Sequence, residues 1–248
     1  MRIVSWNCNG ALRNKTKLLD DLNADILVIQ ECENPEISNE DYKKWAGTYL
    51  WAGKNKNKGI GVFARNEHKL MMLDWAGEFR FKIEGVNHRS LNWQSEQLES
   101  FLPCMIDNRI PLLAVWTKQV PSKSFSYIGQ LWIYLQIHKA KLDHPNQIIC
   151  GDFNSNKMWD EEDRLWNHSD VVAELKNMGL ESLYHTKTGE AQGRETRPTF
   201  FLHRNREKPY HIDHVYIRSD KIQNSTLKFN NADIWLKYSD HLPIEFET

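Results

Sequence analysis

Short apolar runs that stop abruptly at a polar residue set the limits on what this chain can fold into. The sharpest is Ile148 to Asn156, IICGDFNSN. Ile148, Ile149 and Cys150 have the character of a buried strand, and Gly151 follows where the backbone must turn tightly. Asp152 and Asn154 then fall on the loop just beyond. Residues there are fixed by the sheet behind them while their side chains stay free to reach a ligand. A carboxylate and an amide two residues apart can hold a water and a phosphate oxygen together. Gly, Asp and Asn are also ordinary turn formers, so the tetrapeptide alone has a structural reading beside the functional one.

The pattern recurs along the chain. Arg2 to Asn7 (RIVSWN) alternates as a strand with Asn7 at its end, and Asn9-Gly10 is a turn signal after it. Leu12, Leu18, Leu19 and Leu22 have partly helical spacing, which predicts a short amphipathic helix over 12–22. Asp25 to Gln30 (DILVIQ) predicts a strand buried on both faces, ended by Glu31. That carboxylate either opens an exposed polar loop or wants a cation, because an unpaired charge buried beside such a strand is costly. Pro111 to Thr117 is another apolar strand, stopped by Lys118 and Pro121. Tyr127 to Lys141 predicts a helix leading into the Ile148 strand, and strand, helix, strand is the order of an α/β unit. Ser169 to Met178 predicts a second helix, with Ser169 or Asp170 as N-cap and Gly179 as its stop.

Toward the end, Tyr210 to Arg218 (YHIDHVYIR) alternates as a strand. It places Ile212, His214 and Tyr216 on one face and His211, Asp213, Val215 and Ile217 on the other. The last singular segment is Tyr238-Ser239-Asp240-His241-Leu242-Pro243-Ile244. Two basic stretches stand apart. Lys54 to Lys58 alternates Lys with Asn before a glycine-started strand, and reads as a solvated hairpin tip or as a phosphate contact. Arg194, Arg197, Arg204, Arg206 and Lys208 are interleaved with Phe200, Phe201 and His203, which suits a phosphate and a stacked base, or equally a hairpin with a charged outer face. From Trp75 to Leu102 the signals are mixed, and no internal repeat is visible.

A chain of 248 residues that is 40% hydrophobic and 26% charged has the composition of a soluble globular protein, and no linker divides it, so one domain over 1–248 is expected. A net charge of -1 gives no global field toward nucleic acid, so any such attraction must be local. Cys8, Cys32, Cys104 and Cys150 are too scattered for a zinc or disulfide motif and read as free thiols in a reducing compartment. No segment approaches the roughly 18 to 20 apolar residues of a membrane span. An intracellular, cytoplasmic monomer is the expectation.

Collected together, Asn7, Glu31, Asp152, Asn154, Asp213, Asp240 and His241 all lie at or near strand ends. The segments WNCNG, LVIQE, GDFN, HIDHVYI and SDHLPI, in this order from Ser5 to Ile244, resemble the successive motifs of the endonuclease/exonuclease/phosphatase superfamily, which contains exonuclease III, the abasic endonucleases and deoxyribonuclease I. The resemblance implies a four-layer α/β sandwich of two mixed, mainly antiparallel sheets packed face to face and flanked by helices.

It also implies roles. Glu31 would be the principal ligand of a Mg²⁺ or Mn²⁺ ion, with Asn7 beside it and Asp240 as a further ligand or anchor, the hard oxygen donors such a cation requires. Asp152 would orient and deprotonate the attacking water, and Asn154 would donate to the phosphoryl group. His241, paired with Asp213, would stabilise negative charge on the phosphate. Asn9, Trp116, Arg194, Arg197, Arg204, Arg206 and His211 are the expected substrate contacts. Read bottom-up, three or four carboxylates, two amides and a histidine suit a hard-metal phosphoester site and fit no acyl-transfer triad.

One departure from the family pattern stands out. Where abasic endonucleases place a Tyr and deoxyribonuclease-like members a His, this chain has Trp116 or Thr117. The expected activity is a nuclease acting on DNA or RNA. A phosphatase or phosphodiesterase acting on a small phosphorylated molecule is the alternative, and a catalytically silent binding protein the third.

Overall fold

The computed structural model describes residues 1–82, 92–99, 101–120 and 125–248. The first half runs β1 (Arg2–Asn7), α1 (Thr16–Asp20), β2 (Ile26–Cys32), α2 (Glu40–Ala46), β3 (Thr48–Asn55), β4 (Lys58–Ala64), β5 (Leu70–Met72), β6 (Glu78–Arg80), β7 (Asn92–Gln94), β8 (Phe101–Ile106) and β9 (Ile110–Trp116). Next come α3 (Ile128–Leu142), β10 (Ile148–Asp152), α4 (His168–Asn177), β11 (Leu180–Ser182) and α5 (Leu183–Thr188). The last part is β12 (Phe200–Phe201), β13 (Pro209–Tyr210), β14 (Asp213–Arg218), β15 (Thr226–Phe229), α6 (Ala232–Trp235) and β16 (Ile244–Glu247).

Two six-stranded sheets form, in the orders β15-β16-β1-β2-β4-β3 and β11-β14-β10-β9-β8-β5. Each contains one parallel pair at its centre, β1 with β2 and β9 with β10, and every other pairing is antiparallel. Parallel neighbours need a crossover, and α1 and α3 provide it. The two sheets thus repeat one topology that leaves no trace as a repeat in the sequence.

Alternation along the strands builds three cores. Ile3, Val28 and Val62 of one sheet meet Leu112, Cys150 and Val215 of the other in the interior between them. On the outer face of the first sheet, Val4, Trp6, Leu27 and Ile29 pack against Leu19, Tyr42 and Trp235. On the outer face of the second, Leu113, Val115, Ile149 and Tyr216 pack against Leu131, Leu135 and Leu175. The layers are therefore helix, sheet, sheet, helix, the expected sandwich. No helix among the described residues is long and apolar enough to cross a membrane. All four cysteines are buried and free.

Several local expectations need correction. The helix over 12–22 is broken into a 3-10 turn at Leu12–Asn14 and the short α1, because Lys15 between them leaves helical geometry at φ -127°, ψ 3°. Helix α4 is capped by Asn167, not Ser169 or Asp170, and Asp170 instead closes a capping box by accepting from the Asn167 N–H. The strand expected from Tyr210 begins only at Asp213, so the alternation does not reach His211. Its ring lies with His214, at 5.2 Å, instead of sharing the face of Asp213. Pro121, read as a strand stop, lies outside the described residues.

Candidate active site

The C-terminal ends of the two parallel pairs bring the singular polar residues together. Asn7 closes β1. Glu31 does not follow β2 but sits inside it, at a bulge where the register with β4 slips between Gln30 and Cys32 and the backbone takes φ +61°. The bulge interrupts the alternation of a buried strand, which is how a carboxylate is accommodated there. Asn7 Nδ2 donates to Glu31 Oε1 at 3.3 Å and to Asp152 Oδ2 at 2.9 Å, so one amide links the two sheets.

Asp152 is the last residue of β10 and is fully buried. Its register partner on β14 is Asp213, directly across an antiparallel pair, and like charges so placed repel. Burial, with Asp213's charge adding to it, pushes the Asp152 carboxyl up to about 7 against the opposing pull of His241. His241 is the compensating charge. Burial alone would lower its pKa, but Asp213 and Asp152 outweigh that and raise it to about 9. Its Nδ1 lies 2.9 Å from Asp213 Oδ2 and its Nε2 3.9 Å from Asp152 Oδ2, so a charged ring donates Nδ1–H to Asp213 and turns Nε2–H toward Asp152.

Local structure fixes these groups. Asn154, at φ +45°, donates its side chain to Asp152 Oδ2 and to the Thr117 carbonyl, both at 2.9 Å, and its backbone N–H to Asp152 Oδ1 at 2.8 Å. The Thr199 hydroxyl accepts the N–H groups of Ile212 and Asp213 at 3.0 Å each, which pins the start of β14. Ser239 Oγ donates to the Asn7 carbonyl at 2.7 Å and accepts the His241 N–H at 3.0 Å, tying the final loop to β1. Asp240 stands beside this hinge, 3.4 Å from the same hydroxyl. Neither Thr199 nor Ser239 was singled out by sequence, because a serine or threonine signals a hinge only once its long-range partners are known.

Asn7, Glu31, Asp152, Asn154, Asp213 and His241 thus converge, with Asp240 at their edge. Lys58, at the tip of the Lys54 to Lys58 stretch, reaches the cluster and pairs with Glu31 Oε2. The other expected contacts are dispersed. Asn9 is exposed, and its N–H donates to Asn7 Oδ1 at 3.0 Å. Trp116 packs between the sheets at the end of β9, in register with Asp152, and Thr117 beside it is buried. Arg194 and Arg197 are exposed. Arg204 donates to the carbonyls of Lys237 and Tyr238, both at 3.3 Å, and Arg206 pairs with Asp233. His211 is buried behind the site, its Nδ1 2.6 Å from the Arg197 carbonyl. Charge pattern alone could not tell intramolecular partners from a ligand.

The donor set fits a hard divalent cation. Asp152 and Asp213 offer carboxylate oxygens within 4.8 Å of each other, Glu31 is joined to them through Asn7, and Asp213 Oδ1 is buried without a hydrogen-bond partner among the described residues. The sequence from residue 4 to residue 241 matches the Endonuclease/Exonuclease/phosphatase family. The chain belongs to that family. Its fold is similar to that of a 3' phosphatase from Neisseria, solved bound to a product DNA hairpin, with 15% identity, a TM-score of 0.71, and 100% of this chain and 98% of that one covered. An AP endonuclease from Archaeoglobus fulgidus gives 18% identity, a TM-score of 0.66, and 100% and 98% coverage. The endonuclease domain of TRAS1, a telomere-specific retrotransposon, gives 15%, 0.61, and 99% and 97%. No curated protein matches the sequence.

Behind the site, the family member carries a bank of histidines. His168, His214 and His211 follow one another at ring separations of 5.0 and 5.2 Å. Burial holds His168 down to about 4 and His214 well below its ordinary value. In the unfolded chain these rings take up protons near pH 6.5, whereas in the fold they stay neutral. Their contribution is intact above pH 6.5 and is lost as the pH falls toward 4. For His168 alone the loss amounts to roughly 3 kcal/mol. Urea denaturation of wild type and His168→Gln at pH 7 and pH 4 should show the variant losing less stability on acidification. Equal acid sensitivity would mean the ring is not held neutral.

Proposed function

We propose that this chain is a divalent-metal-dependent nuclease that hydrolyses phosphodiester bonds of DNA or RNA. The observation that carries the reading is the placement of Asp152 opposite Asp213, with His241 between them and Asn7 linking Asp152 to Glu31. Two buried carboxylates facing each other are stabilised only by positive charge, and a site that gathers a raised carboxyl, a charged imidazole and free oxygen donors is suited to a phosphoester and water.

Glu31, with Asn7 and Asp240, would hold a Mg²⁺ or Mn²⁺ ion, whose bound charge polarises a phosphate oxygen. Asp152 accepts the proton of the attacking water. Its two oxygens are already oriented by Asn7 and by both nitrogens of Asn154, so it does not have to reorganise. Asn154 would give up its bond to the Thr117 carbonyl to turn that amide hydrogen to the phosphoryl oxygen, keeping its other one on Asp152. His241 presents Nε2–H to the same group while Asp213 accepts its Nδ1–H and holds the charged ring in place. A small phosphoester as substrate is the second reading, favoured by the engagement of Arg204 and Arg206 with the protein itself.

Labelled single-stranded DNA, duplex DNA, RNA and a panel of small phosphoesters, incubated with Mg²⁺ or Mn²⁺ and with EDTA, separate these readings. Cleavage of a polynucleotide that stops with EDTA is expected. Turnover of small esters only would move the assignment to the second reading, and silence on every substrate would overturn both.

A further inference from the structure

We infer that the end of the sandwich opposite the reacting groups carries a second site, a small cleft that takes a nucleoside monophosphate with its ring inside and its phosphate on the rim. The cleft encloses about 250 Å³ and lies at the start of β10, where Gln147 and Ile148 enter the sheet. Asp152 ends the same strand four residues after Ile148, about 13 Å away at the rise of a β-strand, so the cleft is separate from the groups gathered there. Its floor is apolar. Ile148 and Ile217, register partners across β10 and β14, are both buried, and Ile110 packs with them against the interior between the sheets. Such a floor accepts a ring and offers a bare ion nothing.

The rim is cationic and comes from three places in the chain. Arg109 stands in the turn between β8 and β9, Arg218 ends β14, and Lys221 lies in the 3-10 turn Ser219–Asn224. The Arg218 guanidinium is fixed by the Met178 carbonyl at 2.7 Å and by Asp143 at 3.4 Å. Among the described residues, the Arg109 guanidinium and the Lys221 ammonium make no hydrogen bond or ion pair, and Asp107, two residues before Arg109, is engaged by His68 and the Lys69 N–H. No acidic side chain of the described residues lines the cleft, and Thr248, which borders it, turns its carbonyl oxygen to the Met1 ammonium at 3.3 Å. A carboxylate would satisfy one such cation, whereas the oxygens and double charge of a phosphate monoester suit a rim of three. Gln147 sets the second requirement. It is 1% exposed, its Nε2 donates to the Ile148 carbonyl at 2.7 Å, and its Oε1 has no partner among the described residues. A buried acceptor without a donor is costly, so the ring that fits here brings an N–H, as the edge of a nucleobase does.

The side-chain amide signal of Gln147 in a proton–nitrogen NMR spectrum, assigned by its loss in Gln147→Met, reports on this cleft and not on the reacting groups. With EDTA present, so that no ester is turned over, adenosine 5'-monophosphate should shift that signal to saturation. Adenosine and inorganic phosphate should each need at least about tenfold higher concentration, since each lacks one of the two anchors. Arg109→Ala and Lys221→Ala, with circular dichroism to confirm the fold, should each weaken the monophosphate by about tenfold and leave adenosine unchanged. Asp152→Asn should bind it as wild type does. Absence of a saturable shift, an equal affinity for inorganic phosphate, or a monophosphate affinity that neither rim variant moves would overturn the site. Cleavage of nucleic acid is no part of this readout, so the site stands or falls apart from the nuclease reading.

Discussion

Asp152→Asn should lower kcat by roughly a hundred- to ten-thousand-fold, the usual contribution of a positioned general base. KM should move far less, because the variant keeps the shape of the side chain and one oxygen acceptor for Asn7 and Asn154. Asp152 has no solvent around it and one carboxylate across the strand pair, which favour a carboxyl that accepts a proton, while amide donors on both oxygens hold it in place. Steady-state kinetics on the cleaved substrate, with circular dichroism to confirm the fold, measures the effect. Retention of activity within tenfold of wild type would remove Asp152 from the role of base. Glu31→Gln acts on a different quantity: it should raise the Mn²⁺ concentration needed for half-maximal activity, a shift that Asp152→Asn need not share.

Much of this site could be read before any coordinates, and the reason is physical. A strand buried on both faces is mostly apolar until its end or a bulge, so Asn7, Glu31, Asp152 and Asp213 were marked by the apolar runs beside them. The helix between the Pro111 and Ile148 runs marked an α/β unit in the same way. What stayed hidden depends on partners distant in the chain. Lys58 is 27 residues from Glu31, and nothing in the alternation of Lys with Asn says which lysine turns inward. His211 looked like a surface contact because the strand pattern was extended three residues too far, past a backbone whose alternation starts at Asp213. Trp116 is in register with Asp152 at the end of β9 and also packs between the sheets, a double placement that the apolar run alone does not reveal. The basic stretch from Arg194 to Lys208 divides in space: two arginines stay open, and two are bound to the protein.

The largest stability effect expected of any single methyl group is at Gly151. It sits in β10 opposite Val115 of β9, at φ +141°, and an added Cβ would lie 1.9 Å from the Val115 carbonyl oxygen. That atom is backbone in the middle of a sheet and cannot move aside, so either the parallel pair opens or β10 shifts. Either response displaces Asp152, the next residue. Gly151→Ala should therefore fall in the class of exceptional substitutions, losing about 4 kcal/mol or more. For a chain of this size that corresponds to a drop in Tm of roughly 10 °C. Gly10→Ala is the control: Gly10 also has a positive φ, +74°, but a Cβ there meets nothing within 4 Å, so only the backbone preference of about 1 kcal/mol is lost. Thermal denaturation of the two variants separates steric overlap from conformational preference. Equal losses would mean that β9 and β10 relax around the methyl group, and that the close approach of Gly151 to Val115 is not what holds Asp152 in place.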